Sequence, residues 1–237
     1  MNIRQYNSPN HYDGRKGWKP DIIVDHITGG TFTSAINTFM NKSCEVSSHF
    51  IVSKAGEIAQ MVDLRNGAWC NGTSTSGDKR DYRKATNPLV RSRNANANYY
   101  TISIEHENMG GGNLTPAQLS ATIELHKYII EQVKSIYGTD IQADRQHIIG
   151  HYEINPITRP ACPGASFPFD KIILGIGSAS AKQSTSETLY TVKSGDSFWK
   201  IAQQQMGSGL KVAALAAYNG LSTASVIKPG QILKIPK

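Results

Sequence analysis

The sequence predicts an α/β protein in which a mixed β-sheet flanked by helices is followed by a small second domain of βααβ order. In residues 1–175, short apolar segments typical of strands alternate with segments of helical period. Residues 176–188 are mostly small and polar, which is the composition of a flexible linker. We therefore predict a first domain at 1–175, a linker at 176–188 and a second domain at 189–237.

The first elements of the chain are predicted to be a buried strand, a helix and a hairpin. Residues 21–27 are mostly apolar and indicate the strand. Thr33 is a suitable N-cap for a helix that ends near residue 41. The apolar segments 48–52 and 58–62 flank a turn-forming run and therefore predict a hairpin.

The rest of the first domain is predicted to be a long loop, two strands and a long helix. Residues 65–98 are rich in Asn, Gly, Arg, Ser and Thr, as in surface loops that line binding grooves. Strands are expected at 100–106 and 147–150. A helix should begin at Thr115-Pro116 and end near 137, because Gly138 follows an apolar stripe of helical period.

The C-terminal residues predict strand, helix, helix and strand in fewer than fifty residues. Ser197 suits an N-cap, and Pro229-Gly230 forms the turn into the last strand. Residues 190–237 carry six lysines and one acidic residue, a net charge of +5 within a chain of +7. Such a charge indicates an anionic partner, and nucleic acid and cell-wall polymer both satisfy it.

Composition disfavours a membrane protein, a secreted protein with a signal segment and a disulfide-rich protein. Hydrophobic residues make up 39% of the chain, and no apolar run reaches the roughly 20 residues of a membrane span, so we expect no membrane partner. The first seven residues lack the apolar segment of a secretory signal, which leads us to expect synthesis in a cytoplasm. Three cysteines are an odd number and disfavour a disulfide framework, so at least one thiol should have another role.

Three residues are candidate metal ligands. A catalytic zinc site needs three ligands from His, Cys or carboxylates and one open position. His26 and His151 lie at the ends of predicted strands, where α/β proteins present reactive groups, and Cys162 lies in a loop containing proline and glycine. Spacing alone leaves open that these are two strand-end histidines and a buried cysteine that bind no metal. For the histidines at 11, 126 and 147 we expect a surface or packing role.

The order of motifs carries a family resemblance. The motifs are VDHIT at 24–28, SHFIV at 48–52, ISIE at 102–105, GHYEI at 150–154 and RPACPG at 159–164. Over residues 20–170 this order resembles the zinc-dependent N-acetylmuramoyl-L-alanine amidases that share a fold with peptidoglycan-recognition proteins and amidase-type phage lysozymes. The resemblance implies that His26, His151 and Cys162 bind Zn2+. It also implies hydrolysis of the bond between N-acetylmuramic acid and L-alanine in bacterial peptidoglycan.

The same resemblance implies roles for residues beside the metal. Glu105 corresponds to the family's catalytic glutamate, and a shift of two residues would nominate Glu107 instead. Arg159 is the nearest cation to Pro160, where some relatives have a lysine that stabilises the oxyanion, and Ser48 replaces a tyrosine of some phage relatives. Trp69 is expected to contact substrate. His49 is expected to contact substrate as a residue that lines the pocket or stands just behind it, and a packing role for His49 remains open. Cys70 stands where the family usually has histidine, and both a groove position and an inert buried thiol remain open.

Residues 190–236 resemble a lysin-motif (LysM) module, which implies binding of N-acetylglucosamine-containing glycans. The implied groove residues are Gly195, Asp196, Ser197, Asn219, Ile227 and Lys228. Nucleic acid is disfavoured as the partner, because this segment lacks the interleaved exposed aromatics of a base-stacking surface.

Three function classes follow from these patterns. The first is a zinc amidase directed to the wall by its LysM module, most simply a phage endolysin made in the host cytoplasm that acts at the cell wall. A bacterial autolysin with the same chemistry is an alternative. The other two classes are a non-catalytic peptidoglycan-binding protein, disfavoured by the complete ligand set, and a glycan hydrolase, disfavoured because no second carboxylate occupies an informative position.

Overall fold

The computed structural model describes residues 1–180, 188–223 and 225–235, and the chain divides into two compact units, 1–178 and 179–237. The strands of the first unit are β1 Ile3–Gln5, β2 His11–Tyr12, β3 Ile22–Ile27, β4 Phe50–Val52, β5 Ile58–Gln60, β6 Gly67–Ala68, β7 Thr101–His106 and β8 Ile148–Gly150. Its helices are α1 Phe32–Met40, α2 Pro88–Ser92, α3 Pro116–Tyr137, α4 His151–Ile154 and α5 Phe169–Ser180. None of the helices in these ranges is long and apolar enough to cross a membrane.

The central sheet is mixed, as predicted. Its order is β1-β5-β4-β7-β3-β8, and β2 pairs with β6 in a separate two-stranded sheet. Only the hairpin strands β4 and β5 pair antiparallel within the six-stranded sheet, while the other four pairs are parallel. The strand β3 lies between β7 and β8, and all of its residues but the last are buried, which explains its almost continuous apolar sequence.

Packing on the sheet fixes the long helix. The buried face of α3 places Leu125, Ile129 and Val133 against Ile102 and Ile104 of β7. Thr115 caps the start of α3 by accepting a hydrogen bond from the amide of residue 118, and Gly138 ends it in a left-handed conformation with φ of 67°. The predicted bounds of this helix are therefore confirmed.

Two predicted boundaries are wrong. The N-cap of α1 is Thr31, whose side chain accepts from the Ser34 amide, while Thr33 lies inside the first turn. Helix α5 runs through Ser180, so the first five residues of the predicted linker are helical. The reason is packing, because Ile172 and Ile176 of α5 are buried with Ile148. The rest of the predicted linker, 181–187, lies outside the described residues.

Residues 65–98 are more ordered than a long loop. They contain β6, the short helix α2 and 3₁₀ turns at Tyr82–Lys84 and Ala97–Tyr99. Asn or Asp side chains cap α2 and both 3₁₀ turns. The polar residues that suggest a loop in the sequence therefore serve here as caps of short helical segments.

The second unit has the predicted order of strand, helix, helix and strand. Its elements are β9 Thr188–Thr191, α6 Phe198–Met206, α7 Val212–Tyr218 and β10 Ile232–Ile235, with a 3₁₀ turn at Gly209–Lys211. The two strands pair antiparallel, and they pack with the two helices around a core that includes Phe198, Ile201 and Leu215. Gly230, with φ of 87°, forms the turn into β10.

Candidate metal centre and active site

Sheet topology brings two of the three predicted ligands together. His26 lies near the end of β3, and His151 follows β8 directly as the first residue of α4. Because β3 and β8 are neighbouring parallel strands, their carboxyl ends meet at one edge of the sheet, and the two imidazole rings lie 4.5 Å apart. The Glu153 carboxylate accepts a hydrogen bond from the Gly150 amide at 2.8 Å, which fixes the start of α4.

The loop after α4 adds the third predicted ligand. The amide of Tyr152 donates to the Cys162 carbonyl at 2.9 Å, and the Cys162 amide donates to the Arg159 carbonyl at 3.3 Å. These bonds hold the Cys162 thiol so that the ligand atoms of His26, His151 and Cys162 all lie within 4.8 Å of one another. The structure thus assembles the three residues whose sequence separation gave no local metal motif.

The chemistry of this donor set fits a zinc ion. Two imidazoles and a thiol are the nitrogen and sulfur donors that zinc takes. Burial lowers the pKa of His26 well below its usual value and that of His151 to about 3, so both rings are neutral and free to coordinate. Burial raises the pKa of Cys162 to about 12, and a bound metal cation counters this effect because coordinated thiols lose their proton.

Glu105 lies beside the three ligands. It pairs with His26 in the register of β3 and β7, which points both side chains to the same face of the sheet, and its Oε1 is 4.0 Å from Nδ1 of His26. Its Oε2 is buried and has no hydrogen-bond partner within the described part of the chain. Burial raises the pKa of Glu105 to about 7, a value suited to a general base.

Glu107, the alternative base, has another function. Its Oε2 accepts a hydrogen bond of 2.8 Å from the amide of Lys54 in the turn between β4 and β5. Glu107 therefore supports the hairpin, and the geometry favours Glu105.

Cys70 also reaches this site. Its Sγ is 3.5 Å from Nε2 of His26 and 3.6 Å from Oε1 of Glu105. The Asn98 side chain accepts hydrogen bonds from the amides of Cys70 and Asn71, which holds this segment against the sheet. Of the two interpretations left open by the sequence, the groove position is the one observed.

Two adjoining cavities of about 600 and 470 Å³ surround the centre. Trp69, Cys70, His151 and Arg159 line both of them. The indole Nε1 of Trp69 is buried with no hydrogen-bond partner among the described residues, so it is available as a donor. Arg159 is exposed at the rim. Burial is the main cause of the low pKa of His151, and the positive charge of Arg159 lowers that pKa further.

The structure does not bring His49 or Ser48 to this centre. His49 is 1% exposed, and its Nδ1 and Nε2 contact Oγ of Ser103 at 3.0 Å and Nη2 of Arg15 at 2.9 Å. Both ring nitrogens have protein partners, so the position of His49 does not support the predicted substrate contact. Ser48 donates its hydroxyl to the Phe50 carbonyl at 2.7 Å.

A buried polar cluster that the sequence does not predict lies behind the centre. The ring nitrogen Nδ1 of His106 donates to the carbonyl of His26 at 2.9 Å, and Nε2 of His126 lies 3.4 Å from the Asp25 carboxylate. All these side chains are fully buried. His126 therefore packs inside the protein, one of the two roles predicted for it, and it belongs to a buried polar cluster that adjoins the end of β3.

The residues predicted to form a groove in the second unit include several with roles in its own fold. The Asp196 carboxylate accepts bonds from the Lys193 amide and the Tyr190 hydroxyl, and Ser197 caps α6. The Asn219 side chain bonds to both the amide and the carbonyl of residue 234. Gly195 and Lys228 are exposed in turns, and Ile227 is partly buried against the core of this unit.

Comparisons with known proteins agree with this architecture. Residues 16–165 match the family model described as N-acetylmuramoyl-L-alanine amidase, and residues 190–236 match that of the LysM domain. The curated N-acetylmuramoyl-L-alanine amidase A of Achromobacter lyticus is 31% identical over 110 residues, which are 45% of this chain and 49% of that protein. An uncharacterized protein of Deinococcus radiodurans is 44% identical over 54 residues, 23% of this chain and 21% of that protein. The chain thus matches about half or less of the length of these curated relatives.

Solved structures share the fold of the first unit. The selenomethionine derivative of AmpD is 20% identical with a TM-score of 0.51, over 73% of this chain and 94% of that one. The amidase LysC from Clostridium intestinale is 18% identical with a TM-score of 0.51, over 75% and 98%. Because the amidase family model matches more than half of the residues and the predicted fold is confirmed, the chain belongs to the N-acetylmuramoyl-L-alanine amidase family.

Proposed function

We propose that this chain is a zinc-dependent peptidoglycan hydrolase that cleaves the amide bond between N-acetylmuramic acid and L-alanine of the stem peptide. The observation that supports this proposal is the convergence of His26, His151 and Cys162 within 4.8 Å at the wall of a cleft. Family membership supplies the reaction class, and the N and S donors supply the choice of metal.

The surrounding residues have complementary roles in this reaction. A zinc ion held by the three ligands would supply a Lewis acid for the scissile carbonyl and acidify the attacking water. Glu105 accepts the water proton and then transfers it to the leaving amine of L-alanine. A buried carboxylate with a pKa of about 7 can act first as a base and then as an acid near neutral pH. Arg159 at the rim places positive charge near the carbonyl oxygen.

The second unit is proposed to hold the enzyme at its substrate. Its match to LysM domains supports binding of N-acetylglucosamine-containing glycan, through the groove implied by Gly195, Asp196, Ser197, Asn219, Ile227 and Lys228. Its net charge of +5 adds attraction to anionic wall polymers. Tethering one weak binding module to the catalytic unit raises the local concentration of enzyme at the wall.

An endolysin is the biological setting we propose, with synthesis in a host cytoplasm and action at the cell wall. The pairing of a wall-cutting unit with a wall-binding unit in one chain supports it. Expression in a susceptible host, with and without an agent that opens the inner membrane, tests this setting. Lysis only after the membrane is opened is expected, whereas lysis without that agent would indicate an exported autolysin.

Product analysis tests the reaction itself. Purified walls digested with the full chain should release one new L-alanine amino terminus for each bond cut and no new reducing sugar. New reducing ends would instead identify a glycan hydrolase, and saturable binding without products would identify a non-catalytic peptidoglycan-binding protein. The variant His151→Ala is the matched control and should yield no products.

A further inference from the structure

The carboxylate of Glu105 has one hydrogen-bond donor among the residues that the structure describes, the thiol of Cys70. Sγ of Cys70 lies 3.6 Å from Oε1 of Glu105, a hydrogen-bonding distance for sulfur. Oε2 of Glu105 is buried and has no partner within the same ranges of the chain. The proposed base therefore has one oxygen held by the protein and one oxygen left for water and the leaving amine.

The imidazole of His26 is a second group within reach of this thiol. Its Nε2 and Nδ1 lie 3.5 and 3.8 Å from Sγ of Cys70. A neutral imidazole that binds a metal through one nitrogen carries its hydrogen on the other, so neither nitrogen then accepts a hydrogen bond. A thiol has a single hydrogen to donate. Of these two neighbours, Glu105 is therefore the acceptor when metal is bound.

The backbone of Cys70 is fixed relative to the strand that carries Glu105. The Asn98 side chain accepts hydrogen bonds from the amides of Cys70 and Asn71 at 3.3 and 2.6 Å. Asn71 in turn donates to the Thr101 hydroxyl at 2.9 Å, and Thr101 is the first residue of β7. Both asparagines are buried, so water does not compete for these bonds. The thiol is therefore presented to Glu105 by a segment anchored on the same strand.

We propose that Cys70 is a positioning residue for the base of the amidase reaction, an inference that rests on the proposed function. Its thiol holds Oε1 of Glu105 and leaves Oε2 to take the proton of the attacking water. Both residues line the cavity of about 470 Å³ beside the predicted metal ligands. Without this bond the carboxylate is free to rotate, and a misplacement of about 1 Å can cost about 10²-fold in rate.

Steady-state kinetics of the zinc-loaded full chain on a soluble N-acetylmuramoyl-L-alanyl peptide test this role. Cys70→Ala removes the donor and should lower kcat by about 10²-fold, while KM and zinc content stay at their wild-type values because the predicted metal ligands are untouched. Cys70→Ser keeps a donor on a shorter bond and should recover part of the lost kcat. Cys44→Ala is the matched control, because Cys44 is exposed, and it should keep the wild-type kcat.

Infrared spectroscopy of the zinc-loaded protein gives a readout other than activity, because the S–H stretching band moves to lower frequency when the thiol donates a hydrogen bond. A zinc-bound thiol has lost its proton, so only Cys44 and Cys70 should contribute S–H bands. The band that Cys70→Ser removes should move to higher frequency in Glu105→Gln, because a carboxamide is a weaker acceptor than a carboxylate. Glu107→Gln is the matched control and should leave this band in place.

The results separate the role of Cys70 from the proposed function. Wild-type kcat in Cys70→Ala, equal losses of kcat in Cys70→Ala and Cys70→Ser, or a Cys70 band that does not move in Glu105→Gln would each overturn the role of Cys70. A raised KM at unchanged kcat, or loss of zinc from Cys70→Ala, would also overturn it, because Cys70 would then act on substrate or metal. A wild type that binds no zinc or cleaves no substrate would overturn the proposed function itself.

Discussion

The substitution Glu105→Gln should make the metal-free protein more stable while it abolishes most of the activity. Burial raises the pKa of Glu105 from 4.5 to about 7. At about 1.4 kcal/mol per pKa unit, ionising this side chain costs about 3 kcal/mol more in the folded protein than in the unfolded chain. Because the folded pKa is the higher one, this cost is absent below pH 4.5 and reaches its full size above pH 7.

Urea unfolding of the chelated protein measures this effect. The chelated variant should exceed the chelated wild type in free energy of unfolding by up to about 3 kcal/mol at pH 8. The difference should shrink as the pH falls to 4, since the wild-type side chain is then protonated in both states. A variant that is less stable than the wild type at pH 8, or a difference that does not change with pH, would show that ionised Glu105 does not destabilise the folded protein.

Activity and metal content complete the test. With zinc restored, Glu105→Gln should lower kcat by about 10²–10⁴-fold, the usual contribution of a general acid and base, and should keep its zinc. Glu107→Gln is the matched control two residues along the chain, and it should retain wild-type kcat because Glu107 bonds to the Lys54 amide. Full activity in Glu105→Gln would show that another group is the base.

Three further substitutions test packing, charge and pH dependence. Leu125→Ala should lower the free energy of unfolding by about 2–5 kcal/mol in urea titrations, because Leu125 is fully buried, and a smaller loss would contradict the packing described. Asp196→Asn tests the second unit, where the Lys193 amide chiefly lowers the pKa of Asp196. Ionised Asp196 stabilises the folded unit at pH values above its unfolded pKa of about 3.9, and this contribution is lost as the pH falls through its lower folded pKa. Thermal scans should therefore show this loss of stability in acid for the wild type and not for Asp196→Asn. Arg159→Gln should lower kcat about 10²-fold or more with unchanged zinc content, and an unchanged kcat would remove Arg159 from the reaction.

The sequence predicts which three residues come together at the site better than it predicts their surroundings. His26 and His151 are candidates because they lie at the ends of apolar strand segments, and parallel strands place their carboxyl ends at one edge. That β3 and β8 are neighbours is a pairing between segments more than one hundred residues apart, which no local pattern encodes. The family motifs, rather than spacing, supplied the connection to Cys162.

The polar partners that the sequence does not predict share a physical cause. His49 lies in a strand motif like that of His26, but its ring faces Arg15 and Ser103 inside the protein. Which polar partner a buried histidine finds depends on elements brought together by folding, so local sequence does not decide it. The same holds for Cys70, whose place beside Glu105 depends on Asn98, and for the buried pair of Asp25 and His126.

Zinc titration of the chelated full chain tests whether the amidase reaction depends on one zinc ion held by His26, His151 and Cys162. Release of L-alanine amino termini from purified walls should rise in proportion to added zinc and stop rising at one ion per chain. Cys162→Ser should bind far less zinc and stay inactive across the same titration. Full activity in chelated, zinc-free protein, or in a Cys162→Ser variant that binds no zinc, would contradict this dependence on zinc.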